Sequence, residues 1–392
     1  MFPTLSHLIT YLFGIYIPLP VQTFGLFVGF AFLLAYYIFK IEFVRKEQQG
    51  LIKPVKQEIT VGEPAQPIEI LMNALIGFII GFKLIYAALH YVELVDNPQA
   101  LLLSTKGSLI GGLLLGALFA YWLYNDKKKQ QLPEKKIETH HVHPYEFMGK
   151  ILARAAIWGL LGAKLFHNLE YWDDFIRHPV ESLLSFNGLT FYGGVIVGGL
   201  AVIYYTRKLG IHPLHMLDIG APGMMLGYAV GRLGCQLSGD GDWGIENLHA
   251  KPAGLQWIPD WAWTFKFPHN VMNEGVPIMN CEGKFCHELP LPVYPTSFYE
   301  FLMCCVLFAL LWTIRRRVHA MGMLFAIYLI LNGIERFSIE LIRVNSKYHL
   351  LGVSFTQAEF ISLLMIVTGF IGIFYTRSKA QKASYSMTQK YA

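Results

Sequence analysis

Residues 297–317 read SFYEFLMCCVLFALLWTIRRR, an apolar run that ends in three consecutive arginines. A helix needs about 20 mostly apolar residues to cross a bilayer. Similar runs recur along the whole chain of 392 residues, of which 54% are hydrophobic and only 15% are charged. A soluble domain usually carries about a quarter charged residues. The sequence therefore predicts an all-α, polytopic membrane protein rather than a soluble one.

Hydropathy predicts about nine transmembrane helices within a single integral membrane domain, residues 1–392. The predicted spans lie near residues 22–40, 68–92, 108–125, 148–170, 188–206, 214–238, 297–315, 321–343 and 354–376. The predicted subdivisions are an interfacial N-terminal arm at 1–21, a duplicated two-span unit at 68–125, a core region at 148–376 and a small extracytoplasmic cap (head loop) at 239–295.

Basic residues cluster in the loops on one side of these spans, for example at Lys127–Lys129 and Arg315–Arg317. Loops rich in lysine and arginine face the cytoplasm. The pattern predicts an N-terminus outside and a C-terminus in the cytoplasm. It also accounts for the net charge of +5, so no nucleic-acid partner is predicted.

The predicted cap carries aromatic residues and a cysteine pair. Its four tryptophans fit either ordinary packing or a belt at the lipid headgroups: Trp243, Trp257, Trp261 and Trp263. Cys281 and Cys286 could form a disulfide if the loop faces an oxidising compartment. A metal site needs about four ligands, and the sequence shows no second pair, so no metal is predicted.

A degenerate repeat precedes the most polar spans. Gly81-Phe-Lys83-Leu84 matches Gly162-Ala-Lys164-Leu165, and Gly107 matches Gly188 at the same offset. After a slip of one residue, Gly111-Gly112 matches Gly193-Gly194. Spans two and three therefore resemble a parallel duplicate of spans four and five. Because Ile110 stands where the second copy has Tyr192, any chemistry is expected in the second copy.

Ionisable residues cluster near the outer ends of several spans. Arg232 precedes a glycine-rich turn that holds Asp240 and Asp242 and ends at Gly244. Arg336, Glu340 and Arg343 follow i, i+4, i+7 spacing, which predicts one shared helix face. Two further groups lie at similar predicted depth: Tyr192-Gly193-Gly194 with Lys164, and Tyr299 with Glu300.

Two interpretations of these clusters compete. Arg336 and Glu340 could form a structural buried ion pair, and paired glycines could simply let helices approach. However, three arginines are more than the nearby carboxylates need as partners. The planar guanidinium suits bidentate phosphate binding, and phospholipid headgroups supply phosphate at this depth. The sequence favours a lipid-phosphate site.

Several motifs resemble those of the bacterial phosphatidylglycerol:prolipoprotein diacylglyceryl transferase family, over about residues 159–376. Tyr192-Gly193-Gly194 resembles the family's histidine-Gly-Gly motif, and the stretch Gly231–Gly244 resembles its Gly-Arg-x-Gly signature. Residues 294–300 and 333–343 resemble its other two motifs. This chain departs from the family pattern at Tyr192 for histidine, Cys235 and Ser238 for asparagine, Asp240 for glutamate and Phe24 for tyrosine.

The resemblance implies an enzyme that moves the diacylglyceryl group of phosphatidylglycerol to the thiol of a prolipoprotein lipobox cysteine, without a cofactor, in the bacterial inner membrane. The implied partners are phosphatidylglycerol, the lipobox peptide and the phospholipid bilayer. The implied catalytic residues are Tyr192, Arg232, Asp240, Arg336 and Glu340. The implied lipid-binding residues are Arg232, Arg336, Arg343, Gly193, Gly194, Gly239, Gly244, Lys164 and Glu300. Asp240, Glu340 and Tyr192 are alternative candidates for the base.

Two other functions fit part of the sequence. A catalytically inactive relative that binds lipid or prolipoprotein would explain the loss of histidine and asparagine. A small-solute transporter would explain intramembrane charges and a repeat. Transporter repeats usually enclose a site at the membrane midplane, whereas these charges lie near one boundary.

Overall fold

The computed structural model describes residues 1–132, 136–184, 190–345, 347–350 and 353–391. Gly188, the start of predicted span five, lies outside the described residues. The helices are α1 (Leu5–Phe13), α2 (Thr23–Gln48), α3 (Pro67–Leu89), α4 (Tyr91–Asp96), α5 (Pro98–Leu103), α6 (Leu109–Gln130), α7 (Met148–Glu170), α8 (Trp172–Arg177), α9 (Pro179–Leu184), α10 (Phe191–Lys208), α11 (Pro213–Ser238), α12 (Thr296–Ile314), α13 (Met323–Glu340) and α14 (Gln357–Tyr391).

Short strands form three antiparallel pairs: β1 (Val55–Val61) with β2 (Lys136–Val142), β3 (Val276–Pro277) with β4 (His287–Glu288), and β5 (Lys347–Leu350) with β6 (Val353–Thr356). The chain divides into two compact units. Unit 1 contains Met1–Ile17, Val21–Gln49 and Ile203–Ala392, and unit 2 contains Pro18–Pro20 and Gly50–Val202.

Long helices occur at all the predicted spans. Five are long and apolar enough to cross a membrane within the part of the chain that the structure describes: Thr23–Gln48, Pro67–Leu89, Leu109–Gln130, Thr296–Ile314 and Gln357–Lys379. The protein is thus a polytopic helical membrane protein. Helices α7, α10, α11 and α13 coincide with the other predicted spans, and α11 and α13 carry the polar residues that form the candidate site.

The prediction of one helix through Arg343 is wrong. Helix α13 ends at Glu340, and Arg343 lies beyond it in an isolated β-bridge with Gly244. Arg336 and Glu340 do share a helix face, since their side chains form an i, i+4 ion pair of 3.0 Å. Arg343 reaches the same cluster from irregular chain, so helical periodicity does not explain its position.

Unit 1 is built around α11, which packs against α2, α12 and α13. Its core consists of small and apolar buried residues: Ala221, Met225, Ala229, Cys304, Leu311 and Leu324. Small side chains on α11 let neighbouring helices approach closely. A side chain at Gly234, for example, would lie 2.8 Å from Phe27 Cβ of α2.

A buried ion pair joins three helices at the start of α11. Asp218 lies 3.3 Å from Lys46 Nζ of α2 and accepts hydrogen bonds from the backbone nitrogens of Gly322 (2.9 Å) and Phe325 (3.1 Å). These N–H groups belong to the first turn of α13, where helices leave donors unsatisfied. Asp218 therefore caps α13 and ties it to α2 and α11.

Unit 2 contains the predicted repeat, element by element. Helices α7, α8 and α9 begin and end 81 residues after α3, α4 and α5, and β2 follows β1 by the same interval. Helix α10 begins 82 residues after α6, which matches the predicted slip. The two equivalent strands pair with each other in antiparallel register, with Glu58 opposite Thr139.

Packing within the two copies is also equivalent. The amide of Ser108 donates to Phe82 O at 2.9 Å, and that of Thr190 donates to Ala163 O at 3.1 Å. A side chain at Gly116 would lie 3.0 Å from the backbone oxygen of Ala74. In the second copy, one at Gly198 would lie 3.1 Å from that of Ala155. The duplication detected in the sequence therefore preserves both the fold and the helix contacts.

Residues 239–295 form irregular chain with two short 3₁₀ turns and the β3–β4 pair. Cys281 and Cys286 are disulfide-bonded. The tryptophans support both interpretations, packing within the cap and contact with the lipid headgroups. Trp243 packs on buried Phe267, and Trp263 donates to His249 O at 3.0 Å. Trp257, by contrast, is 81% exposed.

Candidate functional site

Three arginines of unit 1 converge on one buried carboxylate. Glu300, in the first turns of α12, is 0% exposed. Its oxygens lie 2.9 Å from Arg232 Nε of α11, 2.9 Å from Arg336 Nη1 of α13 and 3.5 Å from Arg343 Nη1. Tyr228, one turn before Arg232, donates its hydroxyl to Glu300 at 3.2 Å. The structure thus brings three predicted site residues, Arg232, Arg336 and Arg343, together around a fourth, Glu300.

A second carboxylate connects two of these arginines. Asp242 accepts hydrogen bonds from both Arg232 and Arg343. Its backbone oxygen accepts from Thr296 Oγ1 at 2.9 Å and Ser297 Oγ at 2.7 Å, at the start of α12. These bonds fix the glycine-rich turn against the helix that carries Glu300.

Glu340 completes the cluster on the α13 side. One oxygen lies 3.0 Å from Arg336 Nη2, and the other accepts from Asn345 Nδ2 at 2.6 Å. The expectation of arginines in excess of their carboxylate partners is therefore wrong. Arg232, Arg336 and Arg343 are balanced by Asp242, Glu300 and Glu340. Donor capacity remains, because Arg343 Nε has no hydrogen-bond partner among the described residues.

Asp240 lies beside this cluster and differs electrostatically from Asp242. Burial, together with the charge of Asp242, raises the pKa of Asp240 above its ordinary value. Burial would also raise the pKa of Asp242, but Arg232 and Arg343 outweigh it and hold that pKa below its ordinary value. Of the two carboxyl groups in the turn, Asp240 is the better proton acceptor.

Cys235, Asp240 and Asp242 place one ligand atom each within 4.8 Å of one another, close enough to surround a metal ion. Asp242 is already bonded to two guanidinium groups, which a cation would have to displace. The three side chains are therefore better explained as part of the arginine cluster than as a metal site.

The glycines predicted to contact lipid are explained by backbone packing. Gly239 ends α11 with φ +66°, a left-handed conformation that favours glycine. A side chain at Gly244 would lie 2.6 Å from Ile342 O. In unit 2, one at Gly193 would lie 2.5 Å from Gly162 O, and one at Gly194 would lie 3.1 Å from Gly159 O. These contacts account for glycine without a bound ligand.

Tyr192 and Lys164, the other predicted site residues, lie in unit 2. Tyr192 is in the first turn of α10 and is half-buried, and Lys164 is buried in α7. Lys164 occupies the position that Lys83 has in the first copy. Lys83 Nζ donates to the backbone oxygens of Leu101 (3.2 Å), Ser104 and Lys106 (3.0 Å). Lys83 therefore holds the segment that connects α3 to α6 in place.

Three residues that the structure places in or beside the cluster are not among the site residues predicted from the sequence: Tyr228, Asp242 and Glu335. The sequence could have indicated Tyr228 and Glu335, because each lies on a predicted span within four residues of a site arginine. Asp242 was visible as a second carboxylate in the turn, but the family pattern drew attention to Asp240.

The fold and the cluster describe a polytopic membrane protein with a buried arginine–carboxylate site near the ends of its helices. This chain belongs to the prolipoprotein diacylglyceryl transferase family. The sequence model of that family matches residues 10–135 and 113–375. The two matches overlap over residues 113–135, as expected if the chain contains part of the family's fold twice.

Three similar proteins share the name phosphatidylglycerol–prolipoprotein diacylglyceryl transferase. The protein of Streptococcus agalactiae serotype V is 26% identical over 280 residues, which cover 71% of this chain and 92% of that protein. The protein of Enterococcus faecalis is 29% identical over 250 residues, covering 58% of this chain and 79% of that protein. The protein of Dehalococcoides mccartyi strain 195 is 27% identical over 229 residues, covering 57% and 74%.

Proposed function

We propose that this protein transfers the diacylglyceryl group of phosphatidylglycerol to the lipobox cysteine thiol of prolipoproteins, forming a thioether and releasing glycerol phosphate. Family membership carries this proposal, together with the names of the relatives. The convergence of Arg232, Arg336 and Arg343 supports it, because the leaving group is a phosphate ester whose charge needs fixed donors.

The guanidinium groups of Arg232 and Arg336 bind the lipid phosphate in this proposal. Arg343 and Glu340 orient them, and Glu300 keeps them in place before the lipid enters. Each arginine presents several N–H donors, so phosphate can bind through those that the carboxylates leave available. Gly239 and Gly244 shape the turn beside this site. Gly193, Gly194 and Lys164 shape the helix pair that carries Tyr192.

Thiol activation needs a proton acceptor, because a free cysteine has a pKa of about 8.5 and only its thiolate is nucleophilic. Among the candidates, Asp240 fits best, since burial raises its pKa while one of its buried oxygens has no hydrogen-bond partner among the described residues. Glu340 is occupied by Arg336 and Asn345. Tyr192 serves as a hydrogen-bond donor to the headgroup in this proposal.

The proposed topology has about nine spans, an N-terminus outside, and a C-terminus in the cytoplasm of a bacterium, with the protein in the inner membrane. Residues 239–295 form the extracytoplasmic cap, 148–376 the core transferase region, 68–125 the duplicated unit and 1–21 an interfacial arm. Exposed aromatic residues support the arm, since Tyr11 and Phe13 are 74% and 70% exposed.

The phosphate site is tested with purified protein in phosphatidylglycerol nanodiscs and a lipobox peptide as acceptor. We expect Arg232→Ala to lower the rate of peptide lipidation by about 10²–10³-fold, the loss typical of one donor to a developing anion. Arg316→Ala, at an exposed arginine after α12, is the matched control and should retain the rate. Equal rates in the Arg232→Ala variant and the wild type would exclude this phosphate site.

The whole function is tested in cells depleted of their own transferase. We expect the protein to restore lipidation of a prolipoprotein there. Failure of a well-expressed, correctly inserted protein to do so would exclude the enzyme and favour an inactive relative.

A further inference from the structure

Tyr228 is an aromatic residue of the arginine cluster to which the proposed mechanism gives no role. It lies on α11 one helical turn before Arg232, so the two side chains share a helix face. The centre of its ring lies 5.0 Å from Arg232 Cζ, and its hydroxyl donates to Glu300 Oε1 at 3.2 Å. The other oxygen of that carboxylate lies 2.9 Å from Arg232 Nε. Tyr228, Arg232 and Glu300 therefore form a closed set of contacts.

Packing alone does not account for a tyrosine at this position. The ring of Tyr228 packs against the buried core of unit 1, and a phenylalanine would fill the same space without needing a hydrogen-bond partner. The hydroxyl, by contrast, donates to the carboxylate oxygen of Glu300 that also accepts from Arg336 and Arg343. It thus adds a neutral donor at the point where the arginines converge.

The contacts of Arg232 fix its guanidinium group in two ways. A cation within about 6 Å of the centre of an aromatic ring is attracted to the face of that ring, so Tyr228 holds one side of the guanidinium. Glu300 and Asp242 bind its N–H groups. Bidentate binding of phosphate requires that this planar group be correctly oriented. The two carboxylates must share the N–H groups with a bound phosphate, whereas the ring occupies none of them and holds the guanidinium with or without lipid.

We propose that Tyr228 positions the phosphate-binding groups: its ring sets the orientation of the Arg232 guanidinium, and its hydroxyl holds Glu300 where that carboxylate contacts all three arginines. This inference rests on the proposed transferase function and deepens it by naming a positioning residue of the same site. Tyr228 transfers no proton and does not touch the reacting atoms. Its effect reaches the lipid through Arg232 and Glu300.

Two substitutions separate the hydroxyl from the ring in the full-length protein, assayed in nanodiscs with varied fractions of phosphatidylglycerol. Tyr228→Phe keeps the ring, and we expect KM for phosphatidylglycerol to rise about tenfold, as for loss of a hydrogen bond to a charged group. Tyr228→Leu removes both and should lower kcat/KM for the lipid by about 10²-fold, as for a misplaced binding group. KM for the lipobox peptide should stay unchanged in both variants, whereas a merely structural role would change it too. Tyr328→Phe, at a tyrosine of the same core, is the matched control and should leave every value unchanged.

A double-mutant cycle tests whether the ring acts through Arg232. A lysine ammonium is a point charge without a plane, so the ring has no orientation to set in an Arg232→Lys background. With Arg232 present, we expect Tyr228→Leu to be about tenfold slower than Tyr228→Phe. With Arg232→Lys added to each, the two proteins should have equal rates. A tenfold difference in both backgrounds would overturn the proposal.

Tyr228→Phe keeps the core packing of the ring and should remain folded at the assay temperature, which thermal unfolding in detergent verifies. Wild-type KM for phosphatidylglycerol in this variant, or an equal rise of KM for lipid and peptide, would overturn the proposal. If the wild type is active and both variants match it, only this inference fails.

A binding measurement gives a readout independent of activity. Native mass spectrometry reports the phosphatidylglycerol that the purified protein retains, and we expect Tyr228→Leu to retain less than the wild type. Equal retention would overturn the inference. If the wild type lipidates no peptide, the proposed function fails, and this binding comparison still decides whether Tyr228 positions a phosphate site.

Discussion

Glu300 Oε1 lies 2.9 Å from Arg336 Nη1, although the two residues come from different helices and the carboxylate is fully buried. The same carboxylate contacts Arg232 and Arg343. Removing one partner of a buried ion pair leaves an uncompensated charge, which typically costs about 3–5 kcal/mol. Without Glu300, two carboxylates, Asp242 and Glu340, would remain to balance three arginines.

We expect Glu300→Ala to lower the free energy of unfolding by about 3–5 kcal/mol, the cost of leaving one buried positive charge uncompensated. Unfolding of the purified protein in mixed detergent micelles measures the change. Glu359→Ala is the control, because Glu359 accepts a hydrogen bond from the Thr356 amide, and losing such a cap costs about 0.5–2 kcal/mol. Equal stability of the two variants would contradict the central role of Glu300.

Asp240 should control how kcat/KM changes with pH in the acidic range. A base acts only when ionised, and the raised pKa of Asp240 makes wild-type kcat/KM begin to fall at a higher pH than an ordinary carboxyl group would allow. Asp240→Asn should lower kcat/KM by about 10²-fold or more and remove this decline. The measurement is a pH series of peptide lipidation rates.

Asp242→Asn is the comparison for that experiment. The pKa of Asp242 is lowered, so Asp242 stays ionised as the pH falls through the range in which Asp240 gains a proton. Asp242→Asn should retain the decline of kcat/KM at low pH, but the decline should begin at a lower pH, because the charge of Asp242 contributes to the raised pKa of Asp240. Because Asp242 holds Arg232 and Arg343 in place, the variant should also bind phosphatidylglycerol more weakly. If the decline persisted in Asp240→Asn and disappeared in Asp242→Asn, the two roles would have to be exchanged.

The equivalent lysines of the repeat provide a matched pair. Lys83→Met removes hydrogen bonds to the backbone oxygens of Leu101 and Lys106 and should lower stability by about 1–3 kcal/mol, with KM unchanged. Lys164→Met should in addition raise KM for phosphatidylglycerol by about tenfold, as expected for a charged hydrogen bond. If KM were wild-type in both variants, Lys164 would have only the structural role of its counterpart.

Asp218→Leu should destabilise unit 1, because it leaves Lys46 without its carboxylate and two amides of α13 without an acceptor. We expect a loss of about 3–5 kcal/mol, measured by thermal unfolding in detergent. Adding Lys46→Met should restore part of that loss, since it removes the buried unpaired charge. No restoration in the double variant would show that capping of α13, and not the ion pair, is the main contribution of Asp218.

Much of the fold follows from local pattern. The length of each apolar run predicts a helix, and a helix was found at each predicted span within the described residues. The repeat was visible as spaced glycines and lysines because those positions govern how closely two helices pack. Helix boundaries were less predictable. Helix α2 continues to Gln48, well past the predicted end of its span at residue 40, because hydropathy marks the apolar segment and not the polar turns that extend it.

The sequence by itself determined the membrane class, the duplicated unit and the motifs that carry the family resemblance, since all three depend on residue type and spacing. Only the tertiary structure decided that α13 ends at Glu340, that Asp242 pairs with Arg232 and Arg343, and that Glu335 is buried with no hydrogen-bond partner among the described residues. The physical reason is that ion pairing and burial depend on distances between segments far apart in the chain, which local periodicity does not encode.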